Sequence, residues 1–134
     1  FLLEARGKND TPVYIDNSSE EHPKGASPME LLLMGVGGCS AIDVISILKK
    51  QRQEITSYDV EVTGDRTEEK EANIFTAMHV AIYLEGVITP EKAIRAAALS
   101  FEKYCSVSLT LEPSVTITYE IIVNGKVLFN TMVH

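Results

Sequence analysis

The sequence has few of the residues that build extended or fibrous chains, with 8 glycines and 5 prolines among its 134 residues. Apolar residues make up 45% and charged residues 23%, which is the composition of a globular protein and excludes a disordered or collagen-like chain. Basic residues are also scarce, since 12 lysines and arginines face 19 acidic residues for a net charge of −7. A surface of that charge repels a phosphate backbone, so nucleic acid is not an expected partner.

The chain also lacks a long uninterrupted apolar run. The longest apolar stretch, Leu31 to Leu48, is broken by glycines, serines and an aspartate, whereas a membrane-spanning helix needs about 20 largely apolar residues. We therefore interpret this stretch as a buried core helix and expect no membrane partner. No secretory-signal pattern is found in the given sequence, which predicts a cytoplasmic protein whose two cysteines are kept reduced.

Patterns for metal and nucleotide sites are missing as well. Cys39 and Cys105 are too far apart for a Cys-x-x-Cys motif, and His22, His79 and His134 lack the spacing of a zinc site. We interpret His79, on a predicted strand, as a surface or satisfied core histidine. The glycines at positions 35, 37 and 38 fall inside a predicted helix, so no phosphate-binding loop follows a strand. The sequence predicts neither a metal nor another cofactor.

The order of predicted elements is strands, helix, strands, helix, strands, which indicates one α+β domain over residues 1–134. Alternating residues and turn signals predict two hairpins, a charged loop at 64–73 and a final hairpin turn at Asn124-Gly125. Thr89-Pro90 starts the second helix, which we expect to carry Cys105 inward at its end. The predicted hairpin strands are Phe1 to Ala5 with Pro12 to Asp16, and Tyr58 to Val62 with Ile74 to Leu84.

The first helix has a clear start in Ser27-Pro28-Met29-Glu30. Ser27 is the predicted N-cap, Pro28 takes the first helical position, and Glu30 closes a capping box with Ser27. The helix should run to about Arg52. Its apolar residues surround the axis, which predicts a central position in the fold and a second copy of the chain to cover it. Its glycines cost up to about 1 kcal/mol each against alanine, so another element should approach closely there.

Buried cysteines most often act as small hydrophobes, and composition alone favours that interpretation for Cys39 and Cys105. Two segments change it: the helix start followed by Gly-Gly-Cys-Ser-Ala-Ile-Asp at positions 37–43, and Glu-Lys-Tyr-Cys-Ser-Val-Ser at positions 102–108. The sequence resembles the OsmC/Ohr family of osmotically inducible and organic hydroperoxide resistance proteins, and is most similar to its YhfA-like branch. The resemblance extends over nearly the whole chain and includes the order of elements.

The resemblance implies an intertwined homodimer in which two central helices are wrapped by antiparallel sheets, with both cysteines near the interface. It also implies a thiol-dependent peroxidase that reduces organic hydroperoxides. Cys39 would attack the peroxide as a thiolate and become a sulfenic acid, and Cys105 would resolve it as a disulfide. A dithiol reductant would then restore both thiols.

A cation near Cys39 is the next requirement, because the helix dipole acts only within the first turn. The resemblance implies an arginine from the N-terminal hairpin held by a glutamate, and Arg6 is the arginine of that region. Glu30 is the candidate acid, although Met29 stands where the family usually has it. Asp43, one turn after Cys39, would oppose formation of a thiolate if it lay close. Arg66 and Arg95 are the alternative cations.

A different class of function fits the same residues. A non-catalytic OsmC-like dimer could bind a small hydrophobic ligand in an apolar pocket at the subunit interface, or act as a redox sensor. The two thiols would then be packed or slowly oxidised. A count of free thiols before and after one equivalent of organic hydroperoxide separates the two classes.

Overall fold

The computed structural model describes residues 1–68 and 71–131, and His134 lies outside these residues. The chain divides into two compact units, Phe1–Met34 and Gly35–His134. Each unit is built from the elements that its sequence pattern predicts, with the differences given below.

The first unit contains the predicted N-terminal hairpin. Strands β1 (Leu3–Arg6) and β2 (Pro12–Ile15) pair antiparallel across a short turn. The loop that follows is organised by Asp16, whose carboxylate accepts backbone N–H groups of Lys24 at 2.9 Å and Asn17 at 2.8 Å. These hydrogen bonds hold the pKa of Asp16 below its usual value.

Helix α1 (Pro28–Lys50) begins with the predicted capping box. The backbone N–H of Glu30 donates to Ser27 Oγ at 3.2 Å, and the backbone N–H of Ser27 donates to Glu30 Oε1 at 3.0 Å. The helix ends close to the predicted end at Arg52, with two lysines in its last turn where cations stabilise the helix dipole.

The burial of α1 differs from the all-round burial that its composition predicts. Within one chain a single stripe of the helix is buried, while Ile42 on another face is 67% exposed. The stripe packs on strand β3 (Glu54–Arg66) through Gly37, where an added Cβ would come within 2.7 Å of Val62 Cγ2. This is the close approach that the cost of a helical glycine predicts. The buried stripe consists of Val36, Gly37, Ser40, Val44 and Leu48.

Length and composition alone would also allow α1 to span a membrane. Its most apolar window has a mean hydropathy of 2.1, and 28% of that window is buried in the structure. The glycines, serines and aspartate in this stretch were expected to exclude a membrane-spanning helix, but by hydropathy they do not. The packing of Gly37 against β3 is the packing of a core helix.

The second unit contains a four-stranded sheet in the order β3, β4, β5, β6, with β4 at Phe75–Val87, β5 at Thr116–Val123 and β6 at Lys126–Asn130. The β3–β4 and β5–β6 pairs are antiparallel, but β4 and β5 are parallel. The sheet is thus mixed, whereas antiparallel sheets were expected, because the helical segment between β4 and β5 makes a crossover connection.

The strand pattern predicted the core side of β4 well. Met78, Val80, Ile82 and Leu84 are at most 2% exposed, whereas Ile74 precedes the strand and is 54% exposed. Strand β3 continues to Arg66 and so includes the first three positions of the predicted loop at 64–73, with a register shift against β4 between Asp65 and Arg66. The final turn is confirmed, with positive φ at Asn124 and Gly125 as a two-residue hairpin requires.

The second helix ends earlier than its periodicity predicts. Helix α2 (Pro90–Leu99) passes into a π-helical turn at Ser100–Tyr104, and helix α3 (Ser106–Leu111) follows. Cys105 lies between them in an extended conformation with ψ of 95°, so it is not the last residue of a continuous helix. The backbone N–H of Cys105 donates to the Ser100 carbonyl at 2.7 Å across the π-helical turn. Phe101 and Cys105 are both buried, as the periodicity predicts.

Candidate functional site

The two cysteines come together in the second unit. Cys39 lies in α1 and Cys105 is the N-cap residue of α3. The two Sγ atoms and one carboxylate oxygen of Asp43 all lie within 4.8 Å of one another. Both thiols are free, Cys39 is half-buried, and Cys105 has no exposed surface. The fold therefore brings together two cysteines whose proximity could not be read from their spacing in the sequence.

Cys105 is held by Ser108. Its Sγ lies 3.1 Å from Ser108 Oγ and accepts the backbone N–H of Ser108 at 3.4 Å, and Ser108 is itself buried. Burial raises the pKa of the Cys105 thiol, the hydrogen bonds from Ser108 act in the opposite direction, and the nearby Cys39 raises it further. The ordinary state of Cys105 near neutral pH is the thiol.

Asp43 is the charged group beside the two sulfurs. It lies one helical turn after Cys39, and its Oδ2 accepts the hydroxyl of Ser100 at 3.0 Å. Ser100 has no exposed surface and belongs to the π-helical turn. Asp43 would oppose formation of a thiolate if it lay close, and the structure brings it close to both thiols.

The described residues contain one group of three potential metal ligands, formed by Cys39, Asp43 and Cys105. Two sulfurs and one carboxylate oxygen are donor types that zinc accepts, but proximity alone does not define a metal site, and these residues are not assigned as metal ligands. His22 and His79 are not part of this group, and His134 lies outside the described residues.

Arg6 and Glu30 belong to the first unit, and each has local partners. Arg6 forms ion pairs with Glu4 at 3.2 Å and Asp10 at 3.2 Å, and its side chain is 46% exposed. Glu30 is bonded to Ser27, whose backbone N–H and side chain hold the pKa of Glu30 below its usual value. Within the described residues no hydrogen bond or ion pair joins Arg6 to Glu30.

The alternative arginines lie elsewhere in the second unit. Arg66 donates through Nε to the Asn73 carbonyl at 2.8 Å and stacks over the Phe75 ring at 5.7 Å. Arg95 lines a cavity of about 290 Å³ whose wall includes Ile47 of α1. Arg95 is therefore the alternative cation that shares a cavity with the helix of Cys39.

His79 is a satisfied, half-buried histidine, as the sequence predicted. Its Nδ1 lies 2.7 Å from Thr118 Oγ1, and its Nε2 lies 3.8 Å from Glu120 Oε1. These partners are on β5, the parallel neighbour of its own strand, so the contacts stabilise the sheet.

Sequence reasoning missed Ser100 and Ser108. Ser108 could have been found, because a residue three positions after an N-cap commonly donates its N–H to the capping side chain. No local signal indicates Ser100, since its partner Asp43 is distant in sequence and the π-helical turn sets their approach.

Comparison with known proteins shows the family to which the chain belongs. The model of the OsmC-like protein family matches residues 21–120. Protein YhfA of Escherichia coli K12 is 44% identical over 113 residues, which is 82% of this chain and 82% of YhfA. This chain belongs to the OsmC-like family. A solved hypothetical protein from Aquifex aeolicus VF5 is 32% identical with a TM-score of 0.68, over 92% of this chain and 96% of the other.

A more distant OsmC-like structure supports the fold. The organic hydroperoxide resistance protein OsmC of Legionella pneumophila is similar to this chain with a TM-score of 0.61 at 14% identity, over 92% of this chain and 96% of that protein. At such identity the likeness concerns the fold alone. The predicted α+β OsmC-like fold is thereby confirmed.

Proposed function

We propose that this OsmC-like protein is a thiol-dependent peroxidase that reduces organic hydroperoxides with Cys39 and Cys105. The observation that carries the proposal is the separation of the two sulfurs, which lie within 4.8 Å of each other as free thiols. A structural neighbour named as an organic hydroperoxide resistance protein supports the substrate class. Formation of a disulfide would bring the two sulfurs to about 2.05 Å from each other.

Cys39 is the proposed attacking residue because it keeps exposed surface, whereas Cys105 has none. Its thiolate attacks the terminal peroxide oxygen, an S–O bond forms, the O–O bond breaks, and the alkoxide leaves as an alcohol after taking a proton. Cys105 then attacks Cys39 Sγ, an S–S bond forms, and the sulfenic oxygen leaves as water. A dithiol reductant exchanges with the disulfide and restores both thiols.

Arg6 and Glu30 are proposed to support the thiolate of Cys39, by the resemblance to the family. A guanidinium is a suitable partner because it keeps its charge and bonds in fixed directions. The hydrogen bonds of Glu30 with Ser27 give that glutamate a capping role in addition. No metal or other cofactor is needed for the proposed reaction, and a reducing cytoplasm fits the free thiols.

A homodimer is the proposed assembly. The face of α1 that includes Ile42 is apolar and exposed in the single chain, and exposed apolar surface on a central helix is typical of a protein interface. A second copy of α1 would cover it.

The proposal is tested by counting thiols after one equivalent of cumene hydroperoxide under anaerobic conditions. The parent should lose both free thiols, Cys105→Ser should consume about one equivalent and hold a sulfenic acid at Cys39, and Cys39→Ser should consume almost none. If the parent keeps two titratable thiols while the peroxide is stable, the peroxidase proposal is wrong.

A redox sensor is the second candidate, and the complete burial of Cys105 favours it because a buried thiol of raised pKa reacts slowly. Turnover distinguishes the two. With excess hydroperoxide and a dithiol, a peroxidase consumes many equivalents, whereas a sensor forms one disulfide and consumes little more.

A further inference from the structure

Asp43 lies beside the two sulfurs and has no role in the reaction as proposed above. One of its carboxylate oxygens lies within 4.8 Å of both Cys39 Sγ and Cys105 Sγ. Its Oδ2 is fixed by the hydroxyl of Ser100 at 3.0 Å. A carboxylate held in this way is oriented by a buried neighbour and lies near both sulfurs.

The disulfide-forming step needs such a group. Cys105 is fully buried, and burial raises the pKa of its thiol, so it enters the step with its proton. The hydroxyl on oxidised Cys39 must receive a proton to leave as water. Cys105 has no exposed surface, so its proton cannot pass directly to solvent. The proton must reach the leaving hydroxyl through a protein group, or through solvent that contacts the half-buried Cys39.

Resting on the proposed function, we propose that Asp43 carries the proton in disulfide formation and that Ser100 is its positioning residue. Asp43 takes the proton from Cys105 Sγ as the S–S bond forms. It delivers that proton to the oxygen leaving Cys39 Sγ as the S–O bond breaks. One water is released, Asp43 ends as a carboxylate, and no further oxidant or reductant is consumed.

The other polar neighbour of Cys105 suits a different task. The backbone N–H of Ser108 points at Cys105 Sγ, and its hydroxyl lies 3.1 Å from the same sulfur. An N–H cannot accept a proton, and a neutral hydroxyl is a far weaker base than a carboxylate. Ser108 therefore stabilises negative charge as it develops on the sulfur, while Asp43 removes the proton.

The test separates the two chemical steps in a single turnover. Protein is mixed with cumene hydroperoxide in buffer containing EDTA, peroxide loss is followed as the first phase, and disulfide formation is followed by quenched mass analysis as the second. In Asp43→Asn, an isosteric change whose amide can still accept the Ser100 hydroxyl, the second phase should slow by about 100-fold or more. Dimedone should then trap the sulfenic acid at Cys39, which it should not do efficiently in the parent.

Controls distinguish proton transfer from damage to the fold. Asp59→Asn makes the same change at an exposed aspartate of β3, whose Oδ1 accepts the N–H of its neighbour Val60, and both phases should keep the parent rates. Disulfide formation in Asp43→Glu should be at least tenfold faster than in Asp43→Asn, because glutamate restores a carboxylate. Ser100→Ala should slow the second phase by about tenfold, with partial recovery in Ser100→Thr.

Each outcome has a definite meaning. Disulfide formation at the parent rate in Asp43→Asn overturns the role of Asp43 and leaves the peroxidase proposal intact. A variant slowed equally in both phases shows a structural effect, which also counts against a proton carrier. A parent that reduces no hydroperoxide overturns the proposed function itself, and this inference with it.

Discussion

The two cysteines differ in what each can meet. Cys105 has no exposed surface and is hydrogen-bonded to Ser108. Among the described residues, Cys39 is the thiol that lies close enough to be its redox partner. Cys39 is half-buried and follows Gly38, beside which an added Cβ would find no atom within 4 Å. In the single chain this leaves open space beside Cys39. The asymmetry matches an attacking and a resolving thiol.

The stability of the protein should depend on the ionisation of Cys105. Burial raises the pKa of this thiol in the folded state, so the folded protein holds the proton more tightly than the unfolded chain. The contribution of Cys105 to the free energy of unfolding should therefore be constant below about pH 8.5, the usual thiol pKa, and should be lost as the pH rises through the folded-state value. Urea unfolding of the reduced parent and of Cys105→Ala checks this.

Cys105→Ala should lack most of this fall between about pH 8.5 and pH 9.5. Tyr119 should not lose its proton in this pH range, because burial and the charge of Glu102 raise its pKa above the usual value of about 10. If the free energy of unfolding of the parent and of Cys105→Ala falls equally with pH, Cys105 is not the cause of the pH dependence.

Arg6→Ala should slow the reaction with hydroperoxide strongly while changing the midpoint of thermal unfolding little. Its ion pairs with Glu4 and Asp10 are exposed, and such pairs contribute little to stability. Lys8→Ala removes a positive charge from the same hairpin and is the matched control. Stopped-flow peroxide consumption measures the effect. Parent-like reaction of Arg6→Ala would mean that Arg6 is wrongly assigned, and Arg95 would be tested next.

At the scale of elements, local signals predicted starts better than ends. The capping box at Ser27 and Glu30 fixed the start of α1, and Asn124-Gly125 fixed the last hairpin, because both depend on neighbouring residues. The end of α2 was missed because the inward periodicity continues through the π-helical turn to Cys105. The extended conformation of Cys105 depends on hydrogen bonds that periodicity does not report.

The glycines of α1 give a prediction for the packing of that helix on β3. Gly37→Ala should lower the free energy of unfolding by about 1–3 kcal/mol, because the new Cβ would lie 2.7 Å from the stiff side chain of Val62. Gly38→Ala adds a Cβ that meets no atom of its own chain, so it should lower the free energy of unfolding less than Gly37→Ala does, and it gains helix propensity of up to about 1 kcal/mol. Chemical denaturation of both variants checks the contrast. Equal effects at the two positions would contradict the close approach of α1 and β3.

At the scale of the whole molecule, the family and the α+β class were predictable, but the strand neighbours were not. Alternation marks Met78 to Leu84 as a strand with one buried face, and it marks Thr116–Val123 in the same way. It does not report that the two pair in parallel, because pairing is decided by the crossover through α2 and α3. The same limit applies to the site: Cys39 and Cys105 were predictable as a pair only through the family resemblance, and Ser100 not at all.

The proposed dimer gives a prediction at this scale. Ile42→Lys places a charge on the exposed apolar face of α1 and should convert the dimer to monomer, or weaken it at least 100-fold, since burying an unpaired charge is costly. Ile74→Lys, at an isoleucine that is 54% exposed before β4, is the control and should leave the assembly unchanged. Sedimentation velocity measures both. A monomeric parent at micromolar concentration would contradict the dimer.

The central claim is that Cys39 and Cys105 of this chain form a redox pair that an organic hydroperoxide oxidises. The most direct measurement is peptide mapping by mass spectrometry, without reduction, after one equivalent of cumene hydroperoxide. The account predicts a crosslinked pair of peptides carrying Cys39 and Cys105, absent before treatment and lost on addition of a dithiol. Recovery of both cysteines as free thiols, or of Cys39 solely as sulfinic acid with Cys105 reduced, would contradict it.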